Sequence, residues 1–405
     1  MDNMTVVILN DFDYVQGGAT KVAIETAQLL YEKNIDVIFF SAVHKNNNFP
    51  FRQISTNQKE MINDTNKIKA AINNLYNFKA RKEFKKLLQT LDPTCTIIHV
   101  HGWTKALSSS VLDVAFKMKF KVVLTAHDYF TVCPNGGFYN YSKNKICHFE
   151  PLSKECIKCR CDSRNNAFKM FRLVRQWIQN KYVGFPKKLH YLITISDFSE
   201  RILKKNIQSD LNIYRVYNPT AIIKRSNRIS ILDNDQYVFV GRITYEKGVV
   251  EMLKAFSQTN KKLVLVGDGP LLETLKNEYK LNDNISFVGW KSQEEVFSIM
   301  SQSIALVFPS LWFEGAPLTI FEAMSIGLPC IVSNKCSAVD FVNDNQTGII
   351  MDPTDDFSFQ EALSIRKEDL NVYSKNAYDN YWENPYSKER YINTLLDVYQ
   401  QVIND

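Results

Sequence analysis

The sequence predicts an α/β protein with two similar domains, each built on a parallel β-sheet that is covered by helices. A chain of 405 residues is long enough for two such domains. Residues 6–41 read as strand, helix and strand, which is the βαβ unit of a parallel sheet. The same alternation resumes at residue 237, after a polar stretch over 220–235 that we interpret as the linker between the domains.

In the first half, short apolar runs predict strands that alternate with helices. A helix over 19–33 follows the first strand, one long lysine-rich helix is predicted over 67–89, and another is expected at about 104–118. Residues 44–65 are polar and show no clear period. The predicted strands lie at 6–9, 36–41, 97–101, 121–125, 192–195 and 213–216.

The second half repeats this pattern. Helices are predicted at 294–301, 319–326 and 387–403, and Gly327 suits the left-handed position that ends the second of them. The predicted strands lie at 237–240, 262–266, 285–289, 304–308 and 328–332, with an edge strand that begins at 348.

The composition is that of an ordinary globular chain, with 45% hydrophobic and 23% charged residues. The formal net charge of +6 is modest and does not indicate a nucleic-acid partner. We find no signal-peptide pattern and no apolar run of about 18 residues, so we expect a cytoplasmic protein without a transmembrane helix. In that compartment the eight cysteines are expected to be thiols or metal ligands rather than disulfides.

Glu314 and Glu322 are the most informative charged residues. The first lies in the loop between a predicted strand and a helix, and the second lies inside that helix. Both can face a pocket at the carboxyl edge of the sheet, where open α/β sheets bind ligands and where helix N–H groups favour phosphate. A carboxylate in such a pocket can accept hydrogen bonds from sugar hydroxyls. The alternative is one capping glutamate and one solvated helix glutamate.

The run E-G-x-P-L-x-x-x-E-A-M-x-x-G-x-P over 314–329 resembles the E-x7-E signature of retaining glycosyltransferases with the GT-B fold, family 4 (glycosyl transferases group 1). The resemblance implies an α/β protein of the GT-B class, in which two Rossmann-like domains face each other across a cleft. It implies an acceptor-binding domain over 1–217 and a donor-binding domain over 218–385. The C-terminal helix, within 386–405, is expected to pack back on the first domain.

The resemblance also implies a donor site. Glu322 is expected to hold the ribose, and Glu314 to hold the transferred sugar. The segment G-R-x-x-x-E-K-G after the strand at 237–240 resembles the donor-phosphate loop of the family, so Arg242 and Lys247 are expected to hold the leaving diphosphate. From the residues alone, a solvated charged loop is the alternative. Further donor contacts are expected from Gly315, Ala316, Pro317 and Leu318.

Two segments of the first half complete the expected site. Gly17-Gly18 resembles the glycine loop of the family, and Gly18 is expected to face the donor phosphate; an ordinary tight turn is the alternative. In T-A-H-D-Y, the resemblance implies that His127 contacts the transferred sugar with Asp128 beside it, although a lone histidine more often only packs. The D-x-D sequence at 11–13 follows the first strand of a βαβ unit, so we interpret it as a loop rather than a metal-binding pair.

An insertion at about 133–161 is rich in cysteine. Cys156-x-x-Cys159 is one half of a zinc knuckle, and Cys133 and Cys147 are the candidates for the other half. We predict a structural Zn²⁺ at these residues, with free thiols as the alternative. Such an ion would fix the insertion beside the acceptor cleft.

Residues 163–196 contain no acidic residue, and their cations are interspersed with apolar side chains. This pattern predicts a basic amphipathic helix that faces an acidic membrane surface or a phosphate-bearing acceptor. A surface helix packed on its own sheet is the alternative.

Together, these features predict a retaining, hexosyltransferase-type glycosyltransferase that moves a sugar from a nucleotide-sugar donor to a glycan or lipid-linked acceptor in surface-polysaccharide synthesis. A UDP-sugar is favoured, no cofactor is expected for catalysis, and peripheral contact with the inner face of a membrane is expected. The alternatives are a sugar-nucleotide epimerase with the same fold and a non-catalytic nucleotide-sugar-binding scaffold. The predicted catalytic residues are His127, Arg242, Lys247 and Glu314.

Overall fold

Two parallel β-sheets organise the protein. The computed structural model describes residues 4–45, 48–59, 65–207, 210–224 and 227–405. The strands of the first domain are β1 (Thr5–Phe12), β2 (Asp36–Val43), β3 (Arg52–Ser55), β4 (Thr96–Val100), β5 (Lys121–Ala126), β6 (Tyr139–Asn140), β7 (Lys145–Ile146), β8 (Tyr191–Thr194) and β9 (Asn212–Arg215). Seven of them form one all-parallel sheet in the order β3-β2-β1-β4-β5-β8-β9, and β6 and β7 pair separately as an antiparallel hairpin.

The helices of the first domain begin at polar caps. The side chains of Asn66, Asn77, Asn165 and Ser196 each accept a hydrogen bond from a backbone N–H in the first helical turn, which satisfies a donor that the helix leaves unpaired. A π-helical turn, Ile178–Val183, continues the sixth helix. The helices are α1 (Gly18–Glu32), α2 (Lys67–Leu75), α3 (Phe78–Leu88), α4 (Ser110–Lys117), α5 (Lys154–Lys158), α6 (Asn166–Trp177) and α7 (Asp197–Asn206).

The second domain has a smaller sheet of the same kind. Its strands are β10 (Gln236–Val240), β11 (Lys262–Val266), β12 (Ile285–Gly289), β13 (Ser303–Phe308), β14 (Cys330–Ser333) and β15 (Gly348–Met351). They are all parallel and lie in the order β12-β11-β10-β13-β14-β15. The helices are α8 (Val249–Ser257), α9 (Leu272–Glu278), α10 (Gln293–Ser301), α11 (Leu318–Ile326), α12 (Asp356–Leu363) and α13 (Lys367–Glu383).

The last helix, α14 (Lys388–Asn404), returns to the first domain. Its Tyr391, Leu395 and Tyr399 are buried in the same apolar cluster as side chains of β1, β2 and α1. The Tyr391 hydroxyl also lies 2.6 Å from the hydroxyl of Thr26. Helix α14 therefore completes the core of the first domain, although it lies at the end of the chain. The beginning and the end of the chain are thus packed together in one domain.

The predicted single helix over 67–89 is wrong, because the chain breaks between α2 and α3. Tyr76 is extended, and Asn77 caps α3 by accepting a hydrogen bond from the Ala80 N–H. The Asn77 amide also donates to the Ala106 carbonyl at 2.8 Å, which ties the break to a neighbouring loop. This tertiary contact therefore breaks a segment that local periodicity alone predicts to be one continuous helix.

The D-x-D sequence is partly strand rather than loop, since β1 runs to Phe12. Asp11 is buried and accepts hydrogen bonds from the backbone N–H groups of residues 105–107 at 2.8 to 2.9 Å. These bonds hold residues 105–107 in a loop, and α4 starts only at Ser110 rather than at about 104. Asp13 accepts a hydrogen bond from the Lys45 N–H. Both carboxylates thus have structural partners.

The polar stretch over 44–65 contains a strand that the sequence pattern did not predict, β3, whose residues are only partly buried. Residues 46–47 and 60–64 of this stretch lie outside the described residues. Within the part of the chain that the structure describes, none of the helices combines the length and the apolar character that crossing a membrane requires.

Candidate active site

The carboxyl edges of the two sheets meet in one cleft. The strand order reverses between β1 and β4 in the first sheet and between β10 and β13 in the second, and open α/β sheets bind ligands at such points. Phe313, after β13, packs against Tyr129, after β5. A Cβ on Gly315 would come within 3.1 Å of the His127 carbonyl oxygen and 2.8 Å of Ile195 Cδ1. The predicted donor loop and the predicted histidine therefore lie in the same cleft.

Lys247 and Glu314 form an ion pair in this cleft, with 25% and 13% of their side chains exposed. The Ser310 hydroxyl also donates to Glu314 Oε1 at 3.0 Å. Gly248, with a φ of 69°, makes this pairing sterically feasible, because any side chain there would overlap the carbonyl oxygen of Pro309. The turn that carries the cation is thereby packed directly onto the loop that carries the carboxylate.

Helix α11 directs a second carboxylate, Glu322, towards the cleft. The helix begins at Leu318 after Pro317, so its first backbone N–H groups lie at the edge of the sheet. Burial raises the pKa of the Glu322 carboxyl, while the charge of Lys21 and a hydrogen bond with Gln293 lower it. Because Lys21 belongs to α1, Glu322 faces a cation of the first domain.

The remaining predicted donor residues are Gly18, Arg242 and Ala316. Gly18 is the first residue of α1, and no atom lies within 4 Å of the Cβ position there, so its backbone faces open space. Arg242 is exposed directly after β10. The Ala316 side chain is partly buried and packs against the apolar cluster around α11. Lys21 was not predicted as a site residue. The sequence feature that could have indicated it is its position one helical turn after Gly18.

His127 ends a row of three histidines. Its Nε2 lies 2.9 Å from His101 Nδ1, and the ring centroids of His101 and His99 are 4.2 Å apart. His99 is hydrogen-bonded to the hydroxyls of Tyr399, in α14, and of Thr125. The row therefore connects the last helix of the chain to the cleft.

Burial sets the charge of these histidines. It lowers the pKa of His127 to about 4 and that of His99 to about 3, so both are neutral at pH 7. A neutral His127 can hydrogen-bond a hydroxyl without placing a positive charge in the cleft. Sequence reasoning missed His99 and His101, whose alternate positions along one strand were the available signal.

Two cysteines of the insertion lie beside the buried ammonium of Lys169. The Lys169 Nζ atom is 3.2 Å from Cys161 Sγ and 3.7 Å from Cys156 Sγ. Among the described residues, no group of three or more His, Cys, Asp or Glu side chains is placed to hold a metal ion. Burial raises the pKa of the Cys133 and Cys159 thiols to about 11. The zinc site predicted from Cys133, Cys147, Cys156 and Cys159 is thus not assembled here, and zinc stays a prediction.

Two cations of the predicted basic helix do not face solvent. Lys169 and Arg175, both on α6, are buried, whereas Met170, Val174 and Trp177 of the same helix are exposed. The helix is therefore less basic on its outer face, and more apolar, than the sequence pattern indicates.

Residues 223–379 match the family model described as Glycosyl transferases group 1. Over 187 residues the chain is 33% identical to the UDP-Gal:alpha-D-GlcNAc-diphosphoundecaprenol alpha-1,3-galactosyltransferase of Escherichia coli, a match that covers 42% of this chain and 47% of that protein. The chain thus matches about half the length of this relative. The matched family segment contains Arg242, Lys247, Glu314 and Glu322.

Solved structures of similar architecture cover nearly the whole chain. Sucrose-phosphate synthase from Thermosynechococcus elongatus superposes with a TM-score of 0.67 and 16% identity over 99% of each chain. Anabaena HepE in complex with UDP and glucose superposes with a TM-score of 0.63 and 12% identity over 98% of this chain and 100% of that chain. The predicted fold class, GT-B with two Rossmann-like domains, is confirmed.

Metal analysis of the purified protein tests the predicted zinc. The prediction is one zinc per chain, and a lower melting temperature after chelation, because a structural zinc site contributes directly to folding. Cys159→Ser should abolish zinc binding, whereas Cys330→Ser, in the core of the second domain, should leave the zinc content unchanged. Protein that carries no zinc and melts identically with and without chelator would contradict the prediction and support the free thiols.

Proposed function

We propose that the protein is a family 4 glycosyltransferase that moves a sugar from a nucleotide-sugar donor with retention at the anomeric carbon. The observation that carries this proposal is the Lys247–Glu314 ion pair beside the start of α11, with Glu322 in the same cleft. The family match over 223–379 contains these three residues. The UDP-Gal in the name of the Escherichia coli relative, and the UDP bound to Anabaena HepE, favour a UDP-sugar as the donor.

The donor diphosphate binds between the start of α11 and the turn after β10. The N–H groups at the start of α11, Arg242 and Lys247 all contribute positive charge at this position. The Glu322 carboxylate accepts hydrogen bonds from the ribose hydroxyls. In the absence of donor, Lys247 and Glu314 neutralise each other; on binding, Lys247 gains a phosphate oxygen and Glu314 gains a sugar hydroxyl.

Transfer breaks the bond between the anomeric carbon and the diphosphate oxygen and forms a bond to an acceptor hydroxyl oxygen on the same face. The hydroxyl proton passes to the departing diphosphate. Arg242, Lys247 and the N–H groups of α11 stabilise the charge on the leaving group. Neutral His127 hydrogen-bonds a sugar hydroxyl without adding positive charge beside the electron-poor ring.

The acceptor binds mainly on the first domain and is a glycan or a lipid-linked sugar of surface-polysaccharide synthesis. The name of the Escherichia coli relative, which specifies a diphosphoundecaprenol-linked sugar, supports a lipid-linked acceptor. An epimerase would consume the donor without an acceptor, and a scaffold would not consume it at all. Acceptor-dependent release of UDP is therefore the measurement that separates these functions.

We predict that Glu314→Ala and Lys247→Ala each reduce acceptor-dependent UDP release from UDP-glucose or UDP-galactose by about 10²- to 10³-fold, because each removes a group that stabilises the transition state. A lipid extract of the source cells supplies the acceptor. Glu278→Ala, at the end of α9, and Lys280→Ala, in the turn after it, change exposed residues, so they serve as matched controls and should leave the rate unchanged. Near-normal rates in the cleft variants with intact folding would contradict the assignment.

We also propose that α6 and the turn after it contact the acidic cytoplasmic surface of a membrane. Met170 is 52% exposed, Trp177 is 57% exposed, and Tyr182 in the following turn is 62% exposed. Lys181 is exposed beside them, and no acidic residue occurs over 163–196. Exposed aromatic and apolar side chains with adjacent cations are typical of surfaces that lie in the lipid headgroup region.

Flotation with vesicles tests this contact. The protein should float with vesicles that contain phosphatidylglycerol and much less with phosphatidylcholine alone, because the cations add electrostatic attraction. Trp177→Ser should weaken flotation, whereas Trp290→Ser, which removes an exposed tryptophan of the second domain, should not. Equal binding to both kinds of vesicle, or binding to neither, would rule out the electrostatic contact.

A further inference from the structure

A cavity of about 400 Å³ opens beside the cleft on the first domain. Its walls come from the loops after β1, β4 and β5 and from α6, so it lies at the same sheet edge as His127. Four cations line it, and none of its described lining residues is acidic. These cations are Lys105, Arg164, Arg172 and Arg175.

Arg175 carries a buried charge in this wall. It is 8% exposed, and its guanidinium donates to the carbonyl oxygens of Thr104 and Pro134 at 3.1 and 3.2 Å. Within the described residues, no carboxylate pairs with it directly. A buried cation whose hydrogen-bond partners are all neutral is stabilised further when an anion bonds to it directly.

Burial and the charge of Arg172 lower the pKa of Arg175 to about 10, whereas the charges of Asp128, Asp11 and Asp162 raise it, although none of these carboxylates forms an ion pair with Arg175. Asp11 accepts three backbone N–H groups behind the wall, and Asp162 pairs with Arg172 at 3.1 Å. Asp128 accepts the Phe130 N–H at 3.0 Å. Lys105 and Arg164 are both exposed, and no described carboxylate forms an ion pair with either. The cavity therefore has an excess of positive charge that is available to a ligand.

Aromatic rings hold these cations in place. The Arg175 guanidinium lies 4.8 Å from the ring centroid of Phe130, and that of Arg164 lies 4.6 Å from the ring centroid of Phe168. Phe171 also lines the cavity. Walls that combine cations with apolar rings suit a ligand that joins an anionic group to an apolar one.

The basic surface continues into a neighbouring cavity of about 430 Å³, which shares Asn74 and Lys105 with the first. Lys69 and Lys79 line this second cavity, and its described lining includes no acidic residue. Met170 and Trp177 are exposed on the face of α6 opposite its cavity-lining residues, which are Phe168, Phe171, Arg172 and Arg175. A ligand in the first cavity thus has further cationic surface beside it, and its apolar contacts come from the rings that line the cavity itself.

We propose that this cavity binds the phosphate or diphosphate group of an acceptor that also carries an apolar chain. The inference rests on the proposed glycosyl transfer and specifies the chemistry of its acceptor. Phe130 follows His127 by three positions in the loop after β5, so the cavity and His127 share one loop, and the proposal places the acceptor sugar towards His127 and Glu314. The cations supply charge-assisted hydrogen bonds, and the rings pack against the first carbons of the chain.

Calorimetric titration with farnesyl diphosphate, below its aggregation concentration, tests the proposal. The protein carries Lys247→Ala, so that the donor phosphate site does not compete. We expect saturable binding that Lys105→Gln and Arg164→Gln each weaken by about 10-fold, because each removes a charged partner. Arg52→Gln, which changes an exposed arginine on β3 away from the cavity, is the matched control and should not weaken binding.

Inorganic diphosphate and farnesol are the comparison ligands. Inorganic diphosphate should bind more weakly than farnesyl diphosphate with the same dependence on Lys105 and Arg164, whereas farnesol should not saturate the site. If inorganic diphosphate binds as tightly as farnesyl diphosphate, the apolar half of the proposal is wrong. If farnesyl diphosphate does not bind, or binds equally in all variants, the whole proposal is wrong. UDP binding to the unmodified protein, measured separately, reports on the proposed donor site, so the two failures are distinguishable.

Discussion

The close approach of the Gly248 turn to the Pro309 carbonyl is the constraint on which the cleft depends. Only a residue without a side chain allows this contact. The contact packs the loop after β10 directly against the loop after β13. The consequence is the ion pair between Lys247 and Glu314, two charged groups that would otherwise lie on separate exposed loops. Because the backbone contact brings the two loops together, both charged groups are already in the cleft before a ligand binds, which is what electrostatic stabilisation of a departing diphosphate requires.

On the first-domain side of the cleft, a row of hydrogen-bonded histidines positions His127. In the row of three histidines, His99 and His101 are buried and His127 is partly buried, which keeps these side chains neutral, and Tyr399 of α14 is hydrogen-bonded to His99 at the far end of the row. A helix at the end of the chain therefore supports a residue in the cleft. This arrangement couples the packing of α14 to the position of His127 through hydrogen bonds and ring contacts.

Features with strong local rules could be predicted from the sequence, and those set by distant contacts could not. The strands at 262–266 and 285–289 have the predicted bounds, because short runs rich in apolar residues are typical of strands, even though the second lies at the edge of its sheet and has exposed residues. The break at Tyr76 depends on a hydrogen bond from Asn77 to another loop, which no local pattern reveals. In the cleft, Glu314 and Glu322 carried a spacing signal, whereas Lys21 reaches Glu322 only because the two domains face each other.

Nucleotide binding is the most direct test of the central claim, which is that the second domain holds a nucleotide diphosphate beside Lys247 and Glu314. Calorimetry with UDP, GDP, ADP and CMP should show that UDP binds with micromolar affinity. Glu322→Ala should weaken that binding by about 10-fold or more, because it removes a charged acceptor of the ribose hydroxyls, and Glu278→Ala should not. Absence of binding by every nucleotide, or UDP binding that is unchanged in Glu322→Ala, would contradict the account.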